Sequence, residues 1–485
     1  MRGKFIQKIT QGYWYCGQNG AKMEMSEAPW GFLVFAHKHE PPCGQKNKKQ
    51  KGEIDVKKII SIALALLMVA VMLPVMAMAE DVNDATTLNT AVANGGEVTL
   101  GDNITASITI PAGKTVTLNL NGYKLTNEDK KDTIYVEMGG TLIINGTGTV
   151  DNVSHGRAAI FNNGTVTLNG GTYTRSAEKG TGKDPNSDNE NSWYTICNHG
   201  DMIVTAGVTV ENKGTFSSVF ENGYYDYNGS NERSNYVSGT NHANPELTIY
   251  GGTFEGGKIT IKNDNGGKMT IKDGTFTNKG NRVVYNVHVA VIEGGEFNCP
   301  TTYFGNHIAV HTDIDKTAGD QSTGNLTING GNFDGKVAAT ETARAYITGG
   351  TFNTEVTDYV GENTLVVENN GTYHVGDAAQ NAVQSATSGT FTVKKAKNDT
   401  SLTVKPGVTI VNNSDVTIKV NDKEVPNNVS YTVPGAPIII YNPTVDTPKA
   451  NDQKNPGTGA NDLVGVAAAM AVVSLLGAAA VIRKK

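Results

Sequence analysis

Residues 268–276 read KMTIKDGTF, and residues 325–333 read NLTINGGNF. In both stretches a short run of alternating apolar and polar residues leads into glycine, and phenylalanine follows two positions after that glycine. Alternation with period two indicates a β-strand with one buried face. Glycine permits the positive φ of a sharp turn, so the aromatic residue falls on the next strand. Each block therefore predicts two short strands joined by a tight corner.

The block is repeated along the chain. Most copies from Phe254 onward lie about 20 residues apart, which is too short a unit to bury its own apolar face. Copies stacked on one another can bury it, and the predicted architecture is an all-β parallel β-helix with an internal ladder of aromatic rings. The sequence lacks the repeat pattern of a leucine-rich solenoid, which argues against that fold. A β-propeller is disfavoured because one blade needs about 40 residues, twice the length of this repeat. The motif ends at Tyr173, Phe254, Phe276, Phe297, Phe333, Phe352 and Tyr373, with a weaker copy at Phe216.

Two helical segments divide this region. Asp84 to Asn94 places apolar residues at i and i+4 and ends at a glycine pair, which predicts a short capping helix over the first coil. A similar helix start at Asp377 precedes strands like those after Asn94. We therefore predict a β-helix over residues 80–374, a second helix-started β module over 375–440, and a linker over 441–454.

The composition supports a turn-rich β structure. The 485 residues include 56 glycines, and only 18% are charged. Glycine, asparagine and threonine are poor helix formers, which argues against a helical bundle. The modest charge and the many β-branched residues argue against disorder.

The N-terminal region contains a predicted signal peptide over residues 57–79. Two lysines precede an apolar run, and Ala77 and Ala79 fit the small-x-small rule for cleavage before Glu80. An uncleaved anchor is the alternative. Residues 1–56 precede this signal without domain periodicity. We interpret them as a mis-assigned translation start, with Val56 as the true start, or as a leader extension.

The C-terminal region has three parts in order. Asn455, Pro456, Gly457, Thr458 and Gly459 come first, twenty mainly apolar residues over 463–482 follow, and three basic residues end the chain. The apolar run is long enough to span a bilayer as a helix. The order resembles a Gram-positive cell-wall sorting signal, with asparagine in place of the leading leucine.

That resemblance implies that residues 455–485 are a substrate of sortase. The enzyme's cysteine would attack the Thr458 carbonyl, release Gly459 and transfer the chain to an amine of peptidoglycan. A plain single-span anchor is the alternative.

The charge of the mature span differs from that of the whole chain. Residues 1–58 carry eleven basic and five acidic residues, and residues 459–485 carry a net charge of +2. When both segments are removed, the whole-chain charge of −6 becomes −14 over residues 80–458. Such an acidic surface repels nucleic acid, and we expect no nucleic-acid partner.

The repeat over about residues 80–440 resembles the pectin-lyase-like surface proteins of Gram-positive bacteria. The resemblance implies a right-handed β-helix, completed here by the N-terminal capping helix and a C-terminal membrane and sorting helix. Enzymes of this fold would show N-T-D, D-D, G-H-G and R-I-K motifs, and none is present. The nearest fragment, Asn198-His199-Gly200, is interpreted as a turn like Asn162-Asn163-Gly164 and Asn369-Asn370-Gly371. We expect no catalytic residues, metal or cofactor.

Loops on a rigid solenoid are where function concentrates. Insertions interrupt the repeat at residues 174–195, 221–245 and 299–324. The candidate binding patch is Tyr224, Tyr225 and Tyr227, because exposed aromatic rings stack on sugars and anchor protein partners. The alternative is that these rings pack over the flank of the solenoid.

The predicted function is display of a binding face by a wall-anchored, adhesin-like protein that binds a host or microbial glycan or protein. A divergent polysaccharide lyase or hydrolase and a non-binding spacer are the alternatives; carboxylates clustered with arginine or lysine on one face would favour the enzyme. Of the four cysteines, only Cys197 and Cys299 remain in the mature span. Coils spaced by about 4.8 Å place them on the order of 20 Å apart, so we expect two buried, free thiols acting as apolar fillers.

Overall fold

The computed structural model describes residues 80–176, 193–212, 218–225, 233–239, 242–278, 281–300, 307–314, 323–340 and 342–435, with two short strands before them. The chain divides into two units, Met1–Met76 and Ala77–Lys485. In the first unit, Met25–Glu27 and Leu33–Phe35 pair antiparallel. The predicted cleavage residues Ala77 and Ala79, the linker 441–454 and the sorting signal all lie outside the described residues.

The second unit is nearly all β and is built on three long sheets, here called sheets 1, 2 and 3. The chain passes through them in that order and repeats, so that each coil adds one parallel strand to each sheet. Nine coils with all three strands, followed by one with two, lie within the described residues. The predicted parallel β-solenoid is therefore confirmed.

The first strand of sheet 1, Glu80–Val82, pairs in parallel with the strand Gly96–Leu100 of the first coil. The strands of sheet 1 are Glu80–Val82, Gly96–Leu100, Thr115–Asn119, Thr141–Asn145, Thr165–Leu168, Asp201–Val204, Glu246–Ile249, Lys268–Ile271, Val289–Ile292, Asn325–Ile328 and Arg344–Ile347.

Sheet 2 carries the residues that follow the glycine corners. Its coil strands are Ile104–Thr105, Lys124–Thr126, Thr149–Asp151, Gly171–Thr174, Val208–Asn212, Thr253–Gly256, Thr275–Thr277, Glu296–Asn298, Asn332–Asp334 and Gly350–Phe352. Sheet 3 completes each coil with Ile108–Ile110, Ile134–Val136, Ile160–Asn162, Ile196–Asn198, Phe220–Asn222, Ile259–Asn263, Arg282–Asn286, Ile308–Thr312 and Lys336–Ala339.

The inward residues of the three sheets form one continuous apolar core. Within it, the predicted aromatic ladder is present. Five phenylalanine rings stack nearly parallel, with neighbouring centroids 4.7–4.9 Å apart. The ladder consists of Phe254, Phe276, Phe297, Phe333 and Phe352, all of which are buried.

The glycine pairs are needed at the corner between sheets 1 and 2. The second glycine of a pair adopts positive φ, +105° at Gly331 and +117° at Gly350. The first glycine packs against the coil before it, and a Cβ at Gly330 would lie 2.3 Å from the carbonyl oxygen of Glu293. Side chains at either position would therefore strain the corner.

A second ladder, of asparagine side chains, follows the last residues of the sheet 3 strands. Each amide nitrogen donates to the side-chain oxygen of the next coil, at 2.7 Å in the first four steps and 3.1 Å in the last. Asn198 belongs to this ladder, so Asn198-His199-Gly200 is the corner equivalent to Asn162-Asn163-Gly164, as predicted. The ladder runs through Asn162, Asn198, Asn222, Asn263 and Asn286 to Thr312.

The N-terminal helix spans Ala85–Asn94, where Asp84 is the N-cap and accepts hydrogen bonds from two backbone amides of the first turn. Leu88 and Val92 are buried in the main core. A 3-10 turn spans Thr357–Tyr359, and a second helix spans Asp377–Ser385.

The last predicted copy of the repeat is not a coil. Asn370 and Gly371 both have positive φ and close a hairpin between Val366–Asn369 and Thr372–Val375. Tyr373 therefore pairs with Phe352 in antiparallel orientation. Asn369-Asn370-Gly371 is a turn, as predicted, but it is not equivalent to the coil corners, because two successive left-handed residues reverse the strand.

The C-terminal module has a core of its own, which includes Val367 and Val383. The predicted boundary at residue 374 falls within a strand of the hairpin. Sheet 2 continues through this hairpin into the module, so the two share a sheet. The remaining strands are Gly389–Lys395, Val408–Asn412 and Val429–Thr432 in sheet 2, and Ser401–Leu402, Ile418–Val420 and Lys423–Val425 in a small sheet.

None of the helices in the described ranges has the length and apolarity needed to cross a bilayer. The predicted membrane span, residues 463–482, lies outside these ranges, as does the weak repeat copy at Phe216.

Candidate functional site

The long connections of the solenoid are concentrated beside sheet 3. Every corner between sheets 1 and 2 takes two to four residues. In contrast, the four longest connections between strands of the coils all enter or leave a strand of sheet 3: residues 175–195, 223–245, 299–307 and 313–324. Because loops on a rigid scaffold carry function, this side of the solenoid is the candidate functional region.

The outer face of sheet 3 carries an unusual row of side chains in register. The central outward-facing residue of each strand is paired in register with that of the next strand. These residues are aromatic in the first two strands of the row and mostly reactive or charged in the strands that follow. We call this set the outer row; it consists of Tyr135, Phe161, Cys197, Glu221, Lys262, Tyr285 and His311.

Three side chains on two neighbouring strands converge at the middle of this row. Cys197 and His199 are two positions apart and so share the outward face, and Glu221 pairs with Cys197 in register. The Cys197 thiol donates to Glu221 Oε2 at 2.9 Å, and Cys197 Sγ lies 3.4 Å from His199 Nε2. His199 Nε2 lies 3.9 Å from the same Glu221 oxygen. All three residues are buried.

Charged groups surround this triad. Lys262 forms an ion pair with Asp264, beside Glu221. Burial raises the pKa of Asp264 to about 7, and the Glu221 charge adds to the rise while Lys262 opposes it. Burial also favours neutral Glu221, but the contacts with His199 and the Lys262 charge outweigh it and hold the pKa of Glu221 below its ordinary value. The pKa values of the neighbouring Glu221 and Asp264 carboxyl groups are therefore shifted in opposite directions.

The thiol of Cys197 is held in its protonated form. Burial and then the negative charge of Glu221 raise the pKa of Cys197 well above its ordinary value. A protonated thiol is a weak nucleophile, so the triad as it stands is not an activated cysteine site. Cys197 is buried and packs with Ala158 and Phe161, as predicted for a small filler, but its side chain faces outward from sheet 3 and its thiol also contacts Glu221 and His199. Cys299 does lie in the apolar core, and both thiols are free.

An arginine and aromatic rings cover the triad. The Arg233 guanidinium binds both carboxylate oxygens of Asp132 at 2.7 and 3.0 Å. The same group lies over the rings of Phe161 and Trp193, 4.6 and 5.0 Å from their centroids. Arg233 therefore fixes the second insertion against an earlier coil.

Further along the row, a second polar cluster surrounds His311. Arg282 Nε donates to His311 Nδ1 at 2.9 Å, and His311 Nε2 lies 2.7 Å from the Thr340 hydroxyl. The Tyr285 hydroxyl donates to Asp313 at 3.1 Å. His311 is buried, so this cluster lies beneath the surface of sheet 3.

The predicted tyrosine patch is divided by the structure. Tyr224 is fully buried, and its hydroxyl donates to the backbone carbonyls of His199 and His242, the first at 3.1 Å. Tyr224 therefore anchors the loop. Its burial agrees with the alternative prediction that the aromatic rings of this insertion pack over the flank of the solenoid. Tyr225 is 54% exposed, and the Lys262 ammonium lies 5.0 Å from its ring centroid. Tyr227 lies outside the described residues.

Sequence reasoning missed the triad because Glu221 lies far from His199 along the chain, and only sheet register brings them together. The available signal was the Cys-x-His spacing of residues 197 and 199 on a predicted strand, where period two places both side chains on one face.

A shallow groove of about 500 Å³ lies elsewhere, at the glycine corners between sheets 1 and 2. Its floor is mostly backbone of the glycine pairs, with Glu296, Asp377 and Asn381 at its edges. The groove holds few groups able to do chemistry, so we place the functional region at sheet 3.

No protein-family model matches the chain, and neither the curated proteins nor the solved structures contain a match to it.

Proposed function

We propose that this chain is a wall-anchored bacterial surface protein whose solenoid displays a binding face for a glycan or a protein. The observation that carries the proposal is the position of the longest connections, all of which flank sheet 3. The predicted signal peptide and sorting signal supply export and covalent attachment, with sortase and peptidoglycan as partners.

The proposed binding face lies around Tyr225. Its exposed ring packs on one side against the Lys262 ammonium, which is itself paired with Asp264, and leaves an apolar surface open to a ligand. Such a surface suits stacking on a sugar ring or packing against a protein side chain. Buried Tyr224 and half-buried Arg233 hold the flanking chain in place, which limits the ordering cost of binding.

We extend the proposal to the fold itself. The solenoid is proposed to be right-handed and pectin-lyase-like. The helix Ala85–Asn94 is proposed to cap its first coil, because its buried Leu88 and Val92 cover apolar residues that an open end would expose. A C-terminal membrane helix completes the precursor.

The binding proposal can be tested with residues 80–458 on glycan arrays and with host surface proteins. Tyr225→Ala should weaken binding of any ligand at least about tenfold, as expected for an aromatic anchor. Tyr346→Ala is the matched control, because Tyr346 is 50% exposed but lies on sheet 1. Equal loss in both variants would contradict the assignment, and no ligand at all would favour the spacer.

A divergent polysaccharide lyase or hydrolase is the second candidate. Glu221 and Asp264 are neighbouring carboxyls with opposite pKa shifts, an arrangement that separates a base from an acid. Lys262 lies on the same face, so carboxylates and a lysine are clustered there, which is the arrangement expected from the sequence for an enzyme. Turnover of acidic polysaccharides that disappears in Asp264→Asn would favour this candidate; the burial of both carboxyls argues for binding instead.

A further inference from the structure

The buried triad on sheet 3 has the geometry and donor types of a metal site. Cys197 Sγ, His199 Nε2 and Glu221 Oε2 all lie within 4.8 Å of one another, with pair distances of 2.9, 3.4 and 3.9 Å. Ligand atoms of a tetrahedral zinc ion, bound at about 2.0–2.3 Å, lie about 3.3–3.7 Å apart. Small side-chain shifts would therefore bring the three donors to the ligand spacing of one ion.

The backbone fixes these donors before any ion binds. Cys197 lies on one strand, His199 follows directly after that strand, and Glu221 lies on the hydrogen-bonded neighbour. The His199 ring is held from two sides, by an edge contact with Phe161 at 5.1 Å and by Tyr224 at 4.5 Å between ring centroids. Donors held on rigid strands lose little conformational entropy on coordination.

The charge of the described cluster also favours a cation. Asp132 is paired with Arg233 and Asp264 with Lys262, so when both ion pairs are formed Glu221 adds a charge of −1 beside a neutral cysteine and histidine. A divalent ion bound to a cysteine thiolate adds +1 and makes the cluster neutral. Burial of an unbalanced charge is costly, so a bound ion would stabilise this region.

The hydrogen bonds of the histidine leave room for coordination. Within the described part of the chain, buried His199 Nδ1 has no hydrogen-bond partner. Nε2 faces the thiol and a carboxylate oxygen that is too distant for a hydrogen bond. A metal bond at Nε2 would replace this weak contact with the thiol by a stronger interaction and so offset more of the desolvation of the ring.

We propose that Cys197, His199 and Glu221 bind one divalent ion of the zinc class, through Sγ, Nε2 and Oε2. Sulfur, nitrogen and oxygen donors together suit zinc and the similar ion Co²⁺, and not Ca²⁺ or Mg²⁺, which prefer oxygen alone. On binding, a sulfur–metal bond replaces the thiol S–H bond and the proton leaves to solvent. No oxidation is involved, and a water molecule completes the tetrahedron.

The ion would clamp two coils together. It joins the strands Ile196–Asn198 and Phe220–Asn222, at the point where the chain leaves sheet 3 toward Tyr225. By joining the two coils, the ion would hold the proposed binding face in one position. The metal proposal does not depend on the binding function, because it rests only on the buried triad and its surroundings.

The test uses the full chain in mild detergent, stripped with a chelator and titrated with Zn²⁺ and with Co²⁺. We expect one ion per chain, and with Co²⁺ a thiolate-to-metal charge-transfer absorption. Cys197→Ser should lower the affinity at least about 100-fold, since even outer-shell partners of a metal contribute 10–100-fold. Cys299→Ser is the matched control and should bind as the parent does, because its thiol lies in the core four coils further on.

Two results would overturn the proposal. The first is the absence of stoichiometric binding by the parent, or binding of Co²⁺ without the charge-transfer absorption. The second is unchanged affinity in a folded Cys197→Ser, which would assign the ion to another surface. If Cys197→Ser does not fold, as judged by circular dichroism, the cobalt spectrum of the parent decides, and folded Glu221→Gln provides the second variant.

Discussion

Replacement of Phe297 by alanine tests the packing of the solenoid core most sharply. The ring is fully buried between Phe276 and Phe333, with centroid distances of 4.9 and 4.7 Å and interplanar angles of 6° and 4°. Truncation of a buried phenylalanine costs about 3–5 kcal/mol, and each lost ring pair adds about 0.5–1.5 kcal/mol beyond burial. The sheets hold both neighbouring rings at their own coils, so the cavity cannot close.

We therefore expect Phe297→Ala to lower the free energy of unfolding by about 5 kcal/mol. Solenoids need not unfold in one step, so chemical denaturation should be combined with hydrogen exchange of the sheet 2 amides near residue 297. Tyr346→Ala, at a half-exposed position on sheet 1, should change stability by no more than about 0.5 kcal/mol. A loss below about 1 kcal/mol in Phe297→Ala would refute the stacked core.

Three further predictions follow from other parts of the fold. Asn222→Ala should cost about 2–4 kcal/mol in denaturant unfolding, because it leaves buried ladder partners on both sides unpaired; Asn169→Ala, which removes an exposed asparagine contact, should cost less than about 1 kcal/mol. Thiol titration of denatured, unreduced residues 80–458 should find both Cys197 and Cys299 free; an intramolecular disulfide seen by mass would contradict the stacked coils. Burial, together with the Arg282 charge, lowers the pKa of His311 below its ordinary 6.5, so stability should fall as pH drops below about 6.5, and His311→Gln should flatten that slope; an unchanged slope would oppose this account.

The solenoid could be predicted from sequence because its signals are local and repeated. The alternation of apolar and polar residues before each glycine pair predicted the strands. The regular spacing of the aromatic residues from Phe254 to Phe352 predicted the stack of rings. The same motif misled at Tyr373, where Asn370 and Gly371 form a hairpin turn. A glycine before an aromatic residue specifies a tight turn but not the direction of the chain after it, and the neighbouring left-handed asparagine decides that.

The candidate site could be predicted only in part. The insertions beside sheet 3 were visible as breaks in the repeat, and Tyr225 lies exposed among them. The triad was not visible, because Glu221 reaches Cys197 through strand register, which depends on the loop lengths between coils. Tyr224 was expected at the surface, but its hydroxyl has two carbonyl acceptors below the loop. Burial of a tyrosine in a polar sequence is set by such tertiary contacts.

The most direct test of the proposed role is the attachment of the exported protein to the cell wall. Thr458→Ala removes the proposed acyl donor and leaves the predicted signal peptide, solenoid and apolar tail unchanged. The account predicts that parent protein is released only by enzymes that digest peptidoglycan, whereas the variant stays in the membrane fraction free of peptidoglycan. Covalent wall attachment of Thr458→Ala at the parent level would contradict the account.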